Sequence, residues 1–148
     1  MIIRRAAEAD LDSILLLAQN IFETEQGIPR TLTYLPPEKQ PRWWCAESEG
    51  RIVATVVAYA ESGVWHMGRL TVAEELRGHQ TATRLLKFAL RDLFSGEVEE
   101  LQMEARPSAV HILLKFGAEI TGPAVPFYRG TITPVRLTKS SFLASDAG

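Results

Sequence analysis

The pattern of apolar and polar positions divides the chain into strand-like and helix-like segments. A short apolar run, MIIRRA, predicts a first strand, and the apolar positions after Asp10 follow the spacing of one helix face. Asp10 is the expected capping residue of that helix. Residues 23–41 contain four prolines and one glycine, which predicts a long irregular segment of the kind that often shapes a pocket.

The middle of the chain predicts three strands and then a helix. The strands are an antiparallel hairpin of RWWCAE and RIVATVVAYA around the polar turn ESEG, followed by VWHMGRLTV. After a polar cluster around Gly78, the next helix shows the clearest apolar stripe of the chain and ends near Ser95 and Gly96. The stripe consists of Ala82, Leu85, Leu86, Ala89, Leu90 and Leu93.

The remaining segments complete a mixed α/β domain. They are a strand ELQMEA, a short helix SAVHILLKF closed by Gly117, and two final strands in AEITG and TITPVRLTK around the turn FYRG. Together the elements predict a mostly antiparallel sheet of about six or seven strands with three or four helices around it. Residues 1–139 are expected to form one domain, and residues 140–148 a flexible C-terminal tail.

Composition narrows the function classes. The 148 residues carry a net charge of -2, with 46% hydrophobic and 23% charged residues, as in an ordinary soluble protein. Nucleic acid is not an expected partner, because the chain lacks the basic excess of nucleic-acid-binding proteins. No apolar run approaches the roughly 20 residues of a membrane span, and the start MIIRR is unlike a secretory signal, so a cytoplasmic location without a membrane partner is predicted.

Cysteine and histidine usage argues against disulfide and metal chemistry. Cys45 is the only cysteine, so this sequence cannot form an internal disulfide or a zinc site of paired cysteines. In its apolar strand the thiol is expected to be buried and inert. His66, His79 and His111 lie far apart without a paired-ligand motif, and no metal is predicted.

The polar cluster RGHQTAT, residues 77–83, is the strongest candidate site. A strand that leads directly into a helix leaves N–H groups of the first turn without partners, and the helix dipole adds positive charge there. Arg77 contributes a permanent cation, and Gly78 permits close approach of the backbone, so the cluster suits a diphosphate. Further donors come from His79, Gln80, Thr81 and Thr83. The alternative is an ordinary helix start capped by Thr81 or Thr83.

The segment LTVAEELRGHQTATRLL resembles the acyl-CoA-binding motif of the GNAT superfamily of N-acyltransferases. In that motif an apolar-x-Val strand is followed by [Q/R]-x-x-G-x-[G/A]. Arg77 and Ala82 match the motif, and Val72 lies at the expected distance, whereas Gln80 stands where the family usually has glycine. The resemblance covers most of the chain, from MIIRRAAEADLDSILLLA to KFGAE, and the order of elements agrees.

The resemblance implies a sheet that is splayed in the middle, and an N-acetyltransferase as the function. Such an enzyme moves the acyl group of acetyl-CoA, or of another acyl-CoA, to a primary amine of a small molecule or a protein. In this family the pantetheine arm lies along the strand equivalent to LTV, and backbone N–H groups of the cluster hold the pyrophosphate. The implied cofactor-binding residues are Leu70, Val72, Arg77, Gly78, His79, Gln80, Thr81, Ala82 and Thr83.

Two alternatives stay open beside the acetyltransferase. A non-catalytic GNAT-like module that binds CoA is suggested by departures from the catalytic pattern at Gln80 and Leu113. A fainter similarity, in IFETEQG and GRLTV, is to acyl-homoserine-lactone and N-acyl amino acid synthases, which use longer acyl chains on CoA or acyl carrier protein. The sequence leaves the oligomeric state open, a homodimer included.

The chemistry implied by the resemblance is direct attack of an amine on a thioester. It needs a base, a group that stabilises the oxyanion and an acid for the leaving thiolate. The resemblance assigns the backbone N–H of Val72 to the oxyanion and places His66 at the family's base position, where an imidazole suits neutral pH. A histidine that pairs across the sheet or faces solvent is the alternative. Glu104 is a second candidate base, or else a surface charge.

The acid is less clearly marked. Leu113 occupies the position at which many relatives have a tyrosine, and it cannot donate a proton. Either Tyr128 or a water molecule is therefore the expected donor, or the thiolate leaves without being protonated.

The acceptor pocket is expected to border the irregular segment. Glu23, Glu25 and Tyr34 are candidates for binding a cationic amine, with a solvated loop as the alternative. Trp43 and Trp44 must point to opposite sides of their strand. One of them is expected in the core, and lining of the acceptor groove is an alternative for the other. Burial in the core is favoured for both.

Overall fold

The computed structural model describes residues 1–29 and 35–145, and in this part of the chain eight strands form one mixed sheet. The strand order is β1-β2-β3-β4-β5-β8-β6, with β7 paired to β8. The strands are β1 Ile2–Arg5, β2 Arg42–Ser48, β3 Arg51–Glu61, β4 Val64–Val72, β5 Glu100–Ala105, β6 Glu119–Ile120, β7 Val125–Pro126 and β8 Thr131–Thr138. The mixed, mostly antiparallel α/β fold is confirmed, and the eight strands, which include the two-residue strand β7, exceed the six or seven expected.

Four α-helices flank the sheet in the described chain. They are α1 Leu11–Ile21, α2 Thr81–Phe94, α3 Pro107–Lys115 and α4 Lys139–Ala144. A π-helical segment, Phe22–Gln26, continues α1 and ends at Gly27 in the left-handed region. The connection that proline content predicted to be irregular therefore begins as an extension of the first helix.

The β2–β3 hairpin forms as the sequence predicts. Its turn uses Glu49 and Gly50, whose φ angles of 51° and 76° are both left-handed. Two such residues in succession give a tight turn whose twist matches that of the flanking strands. The β3–β4 turn repeats the arrangement with Ser62 and Gly63, so β2, β3 and β4 form one continuous antiparallel unit.

Two hydrophobic clusters cover opposite faces of this unit. Apart from Ala82, the predicted stripe of α2 packs in the larger cluster, together with side chains of α3 and α4, while most apolar side chains of α1 pack in the smaller one. Trp44 belongs to the larger cluster and Trp43 to the smaller, so both tryptophans are core residues and neither is free to line a groove. Cys45 is fully buried, and burial raises the pKa of its thiol, as expected of an inert cysteine.

The expectation that Asp10 caps α1 is wrong in its details. A 3-10 turn, Glu8–Asp10, precedes the helix, so Asp10 already has helical dihedral angles and its side chain does not cap α1. Its carboxylate instead accepts the N–H of Ala7 at 2.6 Å and pairs with Arg4 at 2.7 Å. The residue thus joins β1 to the start of α1.

The expected flexible tail is wrong for residues 140–144. These residues lie in α4, whose start is capped by Thr138 through a hydrogen bond from the N–H of Ser141. Phe142 is fully buried against the rings of Phe94 and Phe116. The composition of this short segment did not predict that Phe142 would be buried. Burial of one ring depends on distant partners and not on local composition.

The sheet is splayed between β4 and β5, as the resemblance implies. These two strands are parallel, and His66 with Gln102 is their one pair in register in the described chain. Beyond this pair β4 carries a bulge: Thr55 pairs with Thr71 but Val57 pairs with Gly68, so one residue of β3 faces two of β4. Past the pair of His66 and Gln102, toward the end of β4 that leads into α2, no further register pair joins the two strands in the described chain.

Candidate active site

The junction between β4 and α2 contains a helix start without a side-chain cap. Gln80 occupies the capping position, and its side chain accepts no hydrogen bond from the described residues of the first turn of α2. The hydroxyl of Thr81 donates backwards to the carbonyl of Leu76 at 3.4 Å. The alternative of a helix capped by Thr81 or Thr83 is therefore wrong, and the N–H groups of the first turn are left for another acceptor.

The backbone of this junction is left-handed at two positions. Gly78 has a φ of 81°, and a Cβ placed there would meet no atom within 4 Å, so the position needs glycine for its dihedral angle and is open to a ligand. Gln80 has a φ of 59°, in the same region. The family's glycine position thus has the backbone conformation that glycine adopts at least cost, and this chain places a larger residue there.

Arg77 lies between the junction and the π-helical segment. Its Nε donates to the carbonyl of Val72 at 3.2 Å, and its Nη2 pairs with Glu25 at 2.5 Å. Glu25 raises the pKa of the guanidinium above its usual value. The arginine expected to bind phosphate therefore contacts a carboxylate expected to bind the acceptor, and the two share a cavity of about 360 Å³.

The N–H of Val72 faces the gap between the separated strands. The next N–H, of Ala73, donates to the carbonyl of Val53 on β3 at 2.8 Å. Because successive N–H groups of a strand point to opposite sides, the N–H of Val72 points away from β3 and toward the side of β5. Leu70 of the same strand lies at the bulge and is partly buried against the larger cluster.

His66 and Glu104 line one groove of about 200 Å³. The groove lies on the sheet face against which α1 packs nearer to β2 and β3. The imidazole stacks on the ring of Tyr59, with centroids 5.4 Å apart and planes inclined by 17°. Opposite them lies Arg136, which pairs with Glu100 and Glu119. The two candidate bases are therefore neighbours on one surface.

The other sequence candidates lie elsewhere. Tyr128 is 52% exposed on the turn after β7, contacts Phe127 edge-on and does not line the groove. Glu23 and Glu25 lie on the π-helical segment, and Glu25 lines the cavity of Arg77 and not the groove of His66. Tyr34 lies outside the described residues.

Leu113 lies in the hydrophobic core. It is 2% exposed, on the side of α3 that packs into the larger hydrophobic cluster. His79 and Gln80 are exposed, whereas Ala82 and Thr83 are partly buried in the first turn of α2.

Sequence reasoning missed two arginines whose side chains donate to backbone carbonyls of distant segments. Arg129, on the turn before β8, donates its Nη1 to the carbonyl of Thr24 at 2.7 Å and its backbone N–H to Gln26 at 3.2 Å. Arg106 follows β5 directly and donates to the carbonyl of Phe127 at 3.1 Å. The only sequence signal for Arg106 was a cation between a strand and Pro107, which does not reveal its surroundings.

Neither a metal site nor a membrane span is found in the residues that the structure describes. No three His, Cys, Asp or Glu side chains within residues 1–29 and 35–145 are placed to hold a metal ion. None of the helices in the same ranges is long and apolar enough to cross a membrane.

The mixed sheet, with α2 starting after β4 without a side-chain cap, is the arrangement expected of an N-acyltransferase fold. The model of the acetyltransferase (GNAT) family matches residues 11–118, and the chain belongs to that family. No curated protein matches the sequence.

Solved structures agree with this assignment. ElaA of Escherichia coli superimposes with a TM-score of 0.77 at 15% identity, over 92% of this chain and 99% of that one. Ribosomal-protein-alanine N-acetyltransferase of Brucella melitensis gives 0.73 at 18% identity, over 93% and 99%. Spermidine N-acetyltransferase of Vibrio cholerae, in complex with CoA and spermine, gives 0.69 at 16% identity, over 96% and 97%. At such low identities the likeness concerns the fold.

Proposed function

We propose that this protein is an N-acetyltransferase that moves the acetyl group of acetyl-CoA to a primary amine of a small molecule or a protein. The observation that carries the proposal is the uncapped start of α2 beside the separated strands β4 and β5. It offers N–H donors for a diphosphate and a gap for the pantetheine arm. Two structural neighbours support the acceptor class, since one was crystallised with CoA and spermine and another is a ribosomal-protein-alanine N-acetyltransferase.

The residues of the junction would bind the acyl donor. The backbone of residues 77–83 would hold the diphosphate, with Arg77 as the cation, and the N–H of Val72 would polarise the thioester carbonyl. Open space around Gly78 fits the close approach of a phosphate. To bind phosphate, Arg77 must give up its ion pair with Glu25. The guanidinium would then pair with the phosphate instead, so the number of ion pairs stays the same.

The groove of His66 and Glu104 would receive the acceptor. A neutral amine nitrogen attacks the carbonyl carbon, the C–N bond forms, and the C–S bond breaks to release the thiolate of CoA. His66 is the proposed base for the amine proton, with Glu104 beside it to bind the ammonium form. Tyr128 lies outside the groove, so water is the proposed proton donor to the thiolate.

A non-catalytic CoA-binding module is the second candidate, and two observations favour it. Gln80 presents a side chain at the left-handed position of the phosphate loop, and Leu113 places an apolar core residue where relatives have an acid. Both features would leave binding possible while slowing turnover.

The experiment that separates the two functions measures binding and turnover on the same preparation. Acetyl-CoA is titrated by calorimetry, and release of free thiol is then followed with a panel of amines that includes polyamines, amino acids and peptide N-termini. Thiol release that depends on an amine supports the acetyltransferase. Binding of acetyl-CoA without thiol release for any amine would contradict it and favour the module, and a parallel series with longer acyl-CoAs tests chain length.

A further inference from the structure

The π-helical segment Phe22–Gln26 is bound to two loops that belong to different parts of the sheet. On one side, the carboxylate of Glu25 pairs with Arg77 in the loop that follows β4. On the other side, Arg129 in the turn between β7 and β8 donates its Nη1 to the carbonyl of Thr24 at 2.7 Å. The segment therefore connects the loop of the proposed donor site to the turn that leads into β8.

Arg129 also holds the end of this segment in place. Its backbone N–H donates to the carbonyl of Gln26 at 3.2 Å. A Cβ at Gly27 would lie 3.1 Å from Nε of Arg129, and the φ of Gly27 is 69°, so both the space and the dihedral angle favour glycine there. The residues on both sides of Glu25 are thus bound by one arginine, which keeps the backbone of Glu25 where its carboxylate reaches Arg77.

The guanidinium of Arg77 is itself held at two nitrogens. Nε donates to the carbonyl of Val72 at 3.2 Å, and Nη2 donates to Oε2 of Glu25 at 2.5 Å. The hydrogen bond to Glu25 raises the pKa of the guanidinium most, and the charges of Glu74 and Glu75 raise it further. The cation that is proposed to bind the diphosphate therefore already has an anion as its partner.

This contact opposes the binding of a diphosphate whichever way the carboxylate responds. If the carboxylate of Glu25 stays at Nη2, two anions lie side by side and repel each other. If it leaves, the free protein loses an ion pair that the complex does not keep. A contact that exists only in the free protein lowers the observed affinity for the ligand that breaks it.

We propose that Glu25 is an internal competitor of the donor diphosphate for Arg77, so that this contact weakens binding of acyl-CoA until the diphosphate displaces the carboxylate. The inference rests on the proposed function, because it takes Arg77 to be the cation of the donor site. Affinity for the donor then depends on the strength of the ion pair as well as on the contacts of the donor itself. Donor binding also releases the segment Phe22–Gln26 from the loop after β4.

The test is a double-mutant cycle in which the affinity for CoA is measured by calorimetry. The variants are Glu25→Gln, Arg77→Gln and the double variant, and thermal unfolding verifies that each one is folded. Glu74→Gln is the matched control, since it removes the same charge from the same cavity. The Glu74 carboxylate acts on Arg77 by its charge and not by a hydrogen bond.

We expect Glu25→Gln to tighten CoA binding by about 2- to 5-fold, the range for a partly exposed ion pair. Glu74→Gln should give a smaller gain, because it removes only a repulsion that salt screens. When Arg77 is already replaced by Gln, the gain from Glu25→Gln should fall to that of Glu74→Gln, because no guanidinium is left to be released.

Three results would overturn the proposal. Equal gains from Glu25→Gln and Glu74→Gln would mean that charge alone explains the effect. A gain from Glu25→Gln that persists in full without Arg77 would show that the ion pair is not its source. Weaker CoA binding in Glu25→Gln would show that the carboxylate positions the arginine for the phosphate instead of competing with it.

Failure of the proposed function gives a different result. Binding of CoA without release of thiol for any amine contradicts the acetyltransferase, while the binding cycle still decides the role of Glu25. If neither the wild type nor any variant binds CoA, the donor site and the inference are both wrong.

Discussion

Gln80 is the residue whose conformation bears most directly on the proposed binding of the acyl donor. Its φ of 59° lies in the left-handed region, which costs a residue with a Cβ roughly 1 kcal/mol relative to glycine. The first-turn N–H groups of α2 begin immediately after it. The chain therefore accepts local strain at the point where a diphosphate would approach the backbone most closely.

We expect Gln80→Gly to increase the free energy of unfolding by about 0.5 to 1 kcal/mol, because glycine adopts this φ freely. The same change should tighten binding of CoA by removing a side chain from the loop. Gln40 provides a matched control, since it also has a left-handed φ, of 51°, but lies far from the junction in the sequence. Gln40→Gly should give a similar gain in urea unfolding without a change in CoA affinity. Weaker CoA binding in Gln80→Gly would show that the side chain itself holds the ligand.

Substituting His66 and Glu104 one at a time separates their proposed roles in catalysis. If His66 is the base, His66→Ala should lower kcat by about 10²-fold and remove the acidic limb of the pH profile of kcat/KM. Glu104→Gln should instead raise KM for the acceptor and keep that limb. Rate measurements across pH for both variants decide the matter. A profile that His66→Ala leaves unchanged would remove this histidine from the mechanism.

At the scale of elements, the segments predicted best are those whose signals are local. The stripe of α2 and the turn residues Glu49 and Gly50 act within a few residues, so pattern alone located both elements. The start of α1 and the end of the chain depended on contacts that sequence spacing does not show. Asp10 bonds to Arg4 and Ala7, and Phe142 reaches Phe94 across the molecule.

The contact of Asp10 with Arg4 makes stability depend on pH at the β1–α1 connection. Arg4 and the N–H of Ala7 lower the pKa of Asp10 from 3.8 to about 2. A carboxyl with a depressed pKa stabilises the folded state above its unfolded pKa and loses this contribution as pH falls. Asp10→Asn should therefore cost about 1 kcal/mol at pH 7, a figure reduced for solvent screening of a partly exposed pair.

The difference between wild type and Asp10→Asn should shrink as pH falls from about 4 to about 2. Urea unfolding at several pH values measures it. Asp12→Asn, at an exposed position in the same helix, should change stability little at any pH. A constant difference between wild type and Asp10→Asn down to pH 2 would show that charge is not the source of the contribution.

Helix α4 is expected to be a structural part of the domain. Phe142→Ala removes a fully buried ring and should cost about 3 to 5 kcal/mol, because a cavity remains beside Phe94 and Phe116. Leu143→Ala, at a position 56% exposed, should change stability by less than about 0.5 kcal/mol. Chemical unfolding of both variants tests this. Equal stabilities would mean that the ring does not anchor the helix in solution.

On the scale of the whole molecule, the sheet consists of two antiparallel parts joined at β4 and β5. The motif around Arg77 predicts a donor site from the sequence alone, because its residues are consecutive in the chain. The proposed acceptor side could not be predicted in the same way, since His66 and Glu104 come from two different strands. Their arrangement follows from strand order and register, which sequence patterns do not specify.

The most direct measurement is calorimetric titration of the protein with CoA, 3′-dephospho-CoA and pantetheine. Because the diphosphate is expected to bind the start of α2, CoA and dephospho-CoA should both bind, and pantetheine should bind far more weakly. Arg77→Gln should weaken CoA binding by about 10-fold or more, in line with loss of a charge-assisted contact. Absence of heat with CoA, or equal affinity for pantetheine and CoA together with no effect of Arg77→Gln, would contradict a diphosphate site at this helix.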